Sequence, residues 1–207
     1  MKLDGLFIIL MLGGTALVSN GEESMNTNHH SLSATFGGGC FWCLEAVFER
    51  VPGVRSVLPG YMGGSVEHPT YQQVSRGDTG HAEVVRIEYD PERITYKKLL
   101  EIFWKAHDPT QLNRQGADVG TQYRSAIFYH DEDQKHAAEA SKDAVNRSEK
   151  HASPVVTAIV PASTFYPAET YHHAYFQNNP DAPYSRHVIQ PKLEKLESEI
   201  GITDQTQ

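Results

Sequence analysis

Residues 32–50 read Leu32-Ser-Ala-Thr-Phe-Gly-Gly-Gly-Cys-Phe-Trp-Cys-Leu-Glu-Ala-Val-Phe-Glu-Arg50. Positions 32–36 alternate weakly between apolar and polar and run into three glycines, which predicts a strand ending in a turn. Positions 40–50 continue with helical spacing until Pro52-Gly53 stops them. Outward from this strand–turn–helix the alternation continues. Residues 54–61 read as a strand closed by Gly63-Gly64. Ala82-Glu-Val-Val-Arg-Ile-Glu-Tyr89 alternates strictly enough, and is β-branched enough, to be a strand. Residues 95–107 place Leu99, Leu100, Phe103 and Trp104 on one helical face, with Thr95 as N-cap. Residues 122–129 and 155–161 read as strands, 131–149 as a polar helix with an alanine-rich face, and 191–200 as an amphipathic helix. The predicted fold is α/β (α+β), a single domain over residues 32–200 with helices packed on a mixed β-sheet, followed by a tail at 201–207.

The glycine turn carries the only two cysteines of the sequence to the start of the first helix. Backbone N–H groups in a first turn lack partners, and the helix dipole is positive there. The expected pKa of Cys40 is therefore about 3.5–7.5 rather than about 8.5. Cys43, one turn on, can capture whatever Cys40 forms. Cβ atoms at i and i+3 stand about 5–6 Å apart, and a disulfide wants about 3.8 Å. Such a bridge closes only with local distortion, which makes it easily reduced. The arrangement suits two-electron sulfur chemistry.

Length, charge and cysteine count exclude several classes. The 207 residues are 39% hydrophobic and 21% charged, enough for one compact core. A net charge of −8 without a basic stripe argues against nucleic-acid partners. Two cysteines cannot make a disulfide scaffold. Near the start, Lys2 precedes the apolar run Leu6-Phe-Ile-Ile-Leu-Met-Leu-Gly-Gly-Thr-Ala-Leu-Val18, followed by a polar stretch. The run is short for a membrane span and suits a secretory signal, so residues 1–24 are read as a signal peptide and 25–31 as a linker. An exported, periplasmic or secreted protein is expected. An uncleaved membrane anchor is the alternative.

Polar motifs interrupt the hydrophobic pattern at 61–83, 107–125 and 165–175, in loops where chemistry usually resides. In order they are Gly39-Cys-Phe-Trp42, Gly60-Tyr-Met-Gly-Gly64, Pro69-Thr-Tyr71, Gly77-Asp-Thr-Gly-His-Ala-Glu83, His107-Asp-Pro109 and Gly120-Thr-Gln-Tyr-Arg-Ser125. Together they closely resemble the peptide methionine-(S)-S-oxide reductase (MsrA) family, over about residues 33–180. The resemblance implies an MsrA-type, ferredoxin-like α/β sandwich and a sulfoxide substrate. It implies Cys40 as nucleophile, Glu83 as acid, and Tyr71 and Tyr123 as donors to the sulfoxide oxygen. It also implies Asp118 in the site, and Phe41 and Trp42 around the substrate methyl group. Two features depart from the family pattern. Position 43 is often Gly, Ser or Thr in relatives and is Cys here. No cysteine follows Cys43, so the C-terminal disulfide relay of many members has no counterpart. Tyr171-His-His173 also differs from the commoner Tyr-His-Gln, with little expected effect on the chemistry.

Those residue types fit what the reaction needs. A sulfoxide is a poor electrophile until its oxygen is protonated or strongly hydrogen-bonded. The site then needs a soft nucleophile, an acid and neutral donors. Glu83 must be buried to stay protonated near pH 7. Tyrosine hydroxyls stay neutral and stabilise charge on the oxygen. Asp118 either orients a donor or caps a turn. Glu45, in the first turn, is explained by the helix dipole. Cys43 is expected to resolve a Cys40 sulfenic acid, unless it is a bystander and an external thiol acts directly. No prosthetic group or metal is expected, although His172-His173 and His107-Asp108 are candidate ligands by residue type. The reductant is expected to be an external thioredoxin-like protein or dithiol, the partners oxidised proteins, peptides and free methionine sulfoxide, and the chain a monomer. The rival enzyme is a thiol–disulfide oxidoreductase using Cys40 and Cys43. The rival from another class is a metal- or sulfur-binding module without turnover.

Overall fold

The computed structural model describes Met1 and residues 32–200. The expected signal peptide, linker and tail, Met1 apart, lie outside the described residues. In chain order the elements are β1 (Leu32–Gly37), α1 (Phe41–Phe48), β2 (Val54–Met62), α2 (Tyr71–Ser75), β3 (Ala82–Tyr89) and α3 (Tyr96–Ala106). They continue with β4 (Arg114–Gln115), β5 (Asp118–Val119), β6 (Ala126–Tyr129), α4 (Glu132–Arg147), β7 (Ala158–Pro161), β8 (Tyr166–Pro167), α5 (Tyr175–Asn178) and α6 (Gln190–Ile200).

Six strands form one sheet in the order β7-β6-β1-β3-β2-β8. All neighbours run antiparallel except β6 and β7, which are parallel and joined through α4. The sheet is therefore mixed, as the sequence implies. β4 and β5 make a separate two-stranded hairpin.

The two faces of β3 follow the strand period of two. Val85, Ile87 and Tyr89 enter the main core with α1 and α3, whereas Ala82 and Val84 join Met62, Ala126 and Phe128 in a second cluster. Glu83 shares the parity of Val85 and Ile87. The alternation thus places a carboxylate on the face that meets the start of α1.

Capping follows the side chains. Thr95 Oγ1 accepts the Lys98 amide at 3.2 Å, and Asp131 accepts the Gln134 amide at 2.7 Å. Two strand expectations need correction. Residues 122–125 are not strand: positions 121–123 form a 3₁₀ turn, and β6 begins only at Ala126. Ala126 pairs with Gly37, the last residue of β1, so earlier residues have no strand to pair with. The unpaired segment instead packs Tyr123 against the main core, within reach of the Cys40 charge. Likewise 155–157 precede β7, whose parallel register with β6 starts at Ala158 opposite Ala126.

Candidate active site

The turn before α1 fixes the thiols. Gly39 has φ +93°, and a Cβ there would stand 2.7 Å from the Gln115 side chain, so both conformation and space require glycine. Cys40 is the N-cap of α1. The Cys43 amide donates to the Cys40 carbonyl at 3.1 Å, which puts the second thiol one turn along. Both cysteines are free, and both are buried, with 8% and 2% of their surface exposed. Glu83 Oε2 accepts the Phe41 amide, one of the orphan donors of the first turn, at 3.1 Å.

The expected depression of the Cys40 pKa is corrected here. Burial, then the charges of Glu83 and Cys43, push the Cys40 thiol well above its ordinary value, against the pull of the Trp42 amide and the Tyr184 hydroxyl. The physical reason is that desolvation of an anion outweighs a single turn of helix dipole, and α1's first amide serves Glu83 instead. Resting Cys40 is therefore a protonated thiol. Burial also pushes Glu83 up to about 8, despite its bond from Phe41, and Asp118 adds to the rise. A protonated carboxyl at neutral pH is what the sequence chemistry asked for.

That shift has a sign for stability. The folded chain holds the Glu83 proton up to about pH 8, whereas an unfolded one releases it near 4.5. The folded state therefore binds more protons across that window, and stability should fall as pH rises from 5 to 9, by on the order of 4 kcal/mol for this group. Glu45, pushed up to about 7 mainly by burial, acts in the same direction. Urea unfolding at pH 5, 7 and 9 should show a smaller loss in Glu83→Gln than in the parent chain. Equal losses would contradict a buried neutral Glu83.

The aromatic residues between the thiols are held by a segment far along the chain. Trp42 Nε1–H donates to His172 Nδ1 at 3.1 Å, and the indole stacks on Tyr175 at 3.6 Å and 6°. Phe41 packs against Tyr61 and His172, with centroids 5.9 and 5.0 Å away. Glu169 joins this wall to α2: it accepts the Tyr61 hydroxyl at 2.9 Å and the Tyr71 amide at 2.8 Å. Tyr71 lies 4.5 Å from the His172 ring. Burial and then the Glu83 charge raise both Tyr71 and Tyr123, and the Cys40 charge adds to each, so both hydroxyls stay neutral.

Asp118 orients a donor. Its Oδ2 accepts the Tyr184 hydroxyl at 2.7 Å, and that hydroxyl lies 3.8 Å from Cys43 Sγ. A cavity of about 210 Å³ adjoins both sulfurs, Asp118, Tyr184 and Lys192. Tyr184 is a site residue that the sequence reading missed. It follows Asp181-Ala-Pro183 at the start of the helical stretch that leads into α6, carries no motif signal, and reaches the thiols only through the fold. The sequence marks His172 only as part of Tyr171-His-His173, because its bond to Trp42, like those of Glu169 to Tyr61 and Tyr71, forms only in the folded chain.

Glu45 also needs correction. It lies beyond the first turn of α1, is 2% exposed, and accepts the Ala174 and Tyr175 amides at 2.8 and 3.3 Å. The candidate ligand histidines make other bonds. His107 Nδ1–H donates to the Phe103 carbonyl at 2.8 Å and its Nε2 accepts from Ser125 at 2.7 Å, while burial lowers its pKa to about 4. His172 serves Trp42, and His173 Nε2–H donates to the Ala168 carbonyl at 2.9 Å. Among the described residues no group of three or more His, Cys, Asp and Glu is placed to hold a metal ion.

Comparison with known proteins converges on one family. The family model described as "Peptide methionine sulfoxide reductase" matches residues 32–204. A protein from Geobacter sulfurreducens named "Peptide methionine sulfoxide reductase MsrA" is 58% identical over 153 residues, 74% of this chain and 94% of its own. Mxr1 from Saccharomyces cerevisiae in reduced form superimposes with a TM-score of 0.69 at 32% identity, covering 73% of this chain and 87% of that one. Mxr1 in complex with Trx2 shares the fold at a TM-score of 0.50 and 22% identity, over 70% of this chain and 84% of that one.

Proposed function

The chain belongs to the peptide methionine sulfoxide reductase family, and we propose that it reduces the S epimer of methionine sulfoxide, free or in proteins, by attack of Cys40 on the sulfoxide sulfur. It is an oxidoreductase whose relatives carry the name peptide methionine sulfoxide reductase. The observation that carries the residue-level reading is the meeting of Cys40, the N-cap of α1, with a buried, protonated Glu83 bonded to the next amide.

Glu83 gives its proton to the sulfoxide oxygen while Tyr71 and Tyr123 donate hydrogen bonds to it. The polarised sulfur then accepts the Cys40 sulfur, which must shed its proton as the substrate arrives because the resting thiol is neutral. The S–O bond breaks as the hydroxyl passes to the Cys40 sulfur, the bond between the two sulfurs breaks with its electron pair going to the methionine sulfur, and methionine leaves with Cys40 a sulfenic acid and the Cys40 proton on Glu83. Sulfoxide sulfur has gained two electrons and Cys40 sulfur has lost two. Phe41 and Trp42 exclude water and hold the methyl group. Cys43 then attacks the sulfenic sulfur, expelling water and forming a disulfide. An external dithiol donates two electrons and two protons to restore both thiols. A thioredoxin-like protein suits that task, and Trx2 accompanies Mxr1 in one solved complex. No prosthetic group enters these steps. The apolar run at 6–18 supports export, which N-terminal sequencing of the mature chain would test.

The discriminating assay offers the S and R epimers of a methionine sulfoxide peptide with dithiothreitol. Loss of the S epimer alone, abolished in Cys40→Ser, is the expected result. Insulin reduction without sulfoxide loss would replace this reading with a thiol–disulfide oxidoreductase.

A further inference from the structure

Glu45 is a buried carboxylate that none of these steps uses. It lies three residues after Trp42 on α1, so it shares a helix face with the indole. Both of its oxygens are spent on one distant segment, accepting the Ala174 and Tyr175 amides at 2.8 and 3.3 Å. Ala174 has φ +50°, a left-handed conformation that a residue with a Cβ adopts only when its surroundings impose it. The turn it makes places His172 on one side and Tyr175 on the other. These two side chains fix Trp42, one through the indole N–H at 3.1 Å and the other by stacking at 3.6 Å.

We propose that Glu45 is a positioning residue for sulfoxide binding: it pins the 172–175 turn and so sets the aromatic wall on which the substrate methyl group rests. The proposal depends on the reading of Trp42 as a substrate contact. Cys40 and Glu83 do not depend on it, so Glu45 bears on how tightly the sulfoxide is held and little on how fast the bound one reacts. Glutamine at position 45 keeps one acceptor oxygen but turns an N–H₂ group toward the second amide, which loosens the turn without changing side-chain size.

In Glu45→Gln the KM for an S-sulfoxide peptide should rise about 5- to 20-fold while kcat stays within about twofold. In a Trp104→Phe background, where Trp42 is the remaining tryptophan, its emission should change with the same substitution. Tyr175→Leu leaves both backbone bonds to Glu45 in place and removes the stacking ring, so it should raise KM similarly, and the double variant should show less than the product of the two effects. A folded Glu45→Gln with unchanged KM and emission would overturn the proposal, as would a loss confined to kcat. If Glu45→Gln does not fold, Tyr175→Leu decides alone, and an unchanged KM there overturns it. Were the S epimer not the substrate at all, the parent chain would give no KM to compare, which separates that failure from this one.

Discussion

Glu83→Gln is expected to lower kcat/KM for the S-sulfoxide by about 10²- to 10⁴-fold, the usual worth of a positioned acid. The substitution is chosen because it spares the architecture. An amide oxygen at position 83 can still accept the Phe41 amide that Glu83 Oε2 accepts at 3.1 Å, and the buried site receives a neutral group in place of a carboxyl that is itself neutral at pH 7. What disappears is the transferable proton. The pH profile supplies the second half of the result. Glu83 loses its proton near pH 8, so the parent rate should fall above that value as the acid form vanishes. The glutamine variant should lack that fall. Steady-state rates from pH 6 to 9.5 would show it. A variant within a few-fold of the parent at pH 7 would demote Glu83 to a helix-capping carboxyl.

Cys43→Ser is expected to uncouple the first turnover from the next. Serine fits the space of a residue that is 2% exposed, and it leaves the Cys43 amide bond to the Cys40 carbonyl intact. The first attack needs only Cys40, so one methionine per chain should still appear. Steady-state turnover driven by a thioredoxin-like reductant should drop by at least tenfold, because no later cysteine can take over resolution. Unchanged turnover with that reductant would mean that an external thiol reduces the sulfenic acid directly. Tyr184, 3.8 Å from Cys43 Sγ and bonded to Asp118, also draws the Cys40 pKa down, so its hydroxyl serves both thiols.

Much of this was legible in the chain because local rules governed it. Alternation in 82–89 marked the strand, and Thr95 announced the start of α3, whereas the burial of Glu83 followed from the Gly-His-Ala-Glu motif and not from the strand pattern. The glycine run before Cys40 marked the turn whose Gly39 leaves no room for a Cβ. Other features depended on pairing or burial, which a local pattern does not encode. The strand before Ala126 failed because β1 ends at Gly37 and offers nothing to pair with. The thiol pKa runs opposite to the sequence expectation because the helix terminus is visible in sequence and the dryness around it is not. Tyr184, His172 and Glu45 act across more than a hundred residues of separation, through contacts that only the folded chain creates.

The central claim is that Cys40 itself takes up the oxidising equivalent of the sulfoxide. Mixing Cys43→Ser with excess S-sulfoxide peptide, without reductant, and mapping the protein by mass spectrometry tests it most directly. One added oxygen on Cys40, replaced by a dimedone adduct at the same residue when dimedone is present and matched by one methionine per chain, is the predicted result. Methionine released with Cys40 left as an unmodified thiol would contradict it.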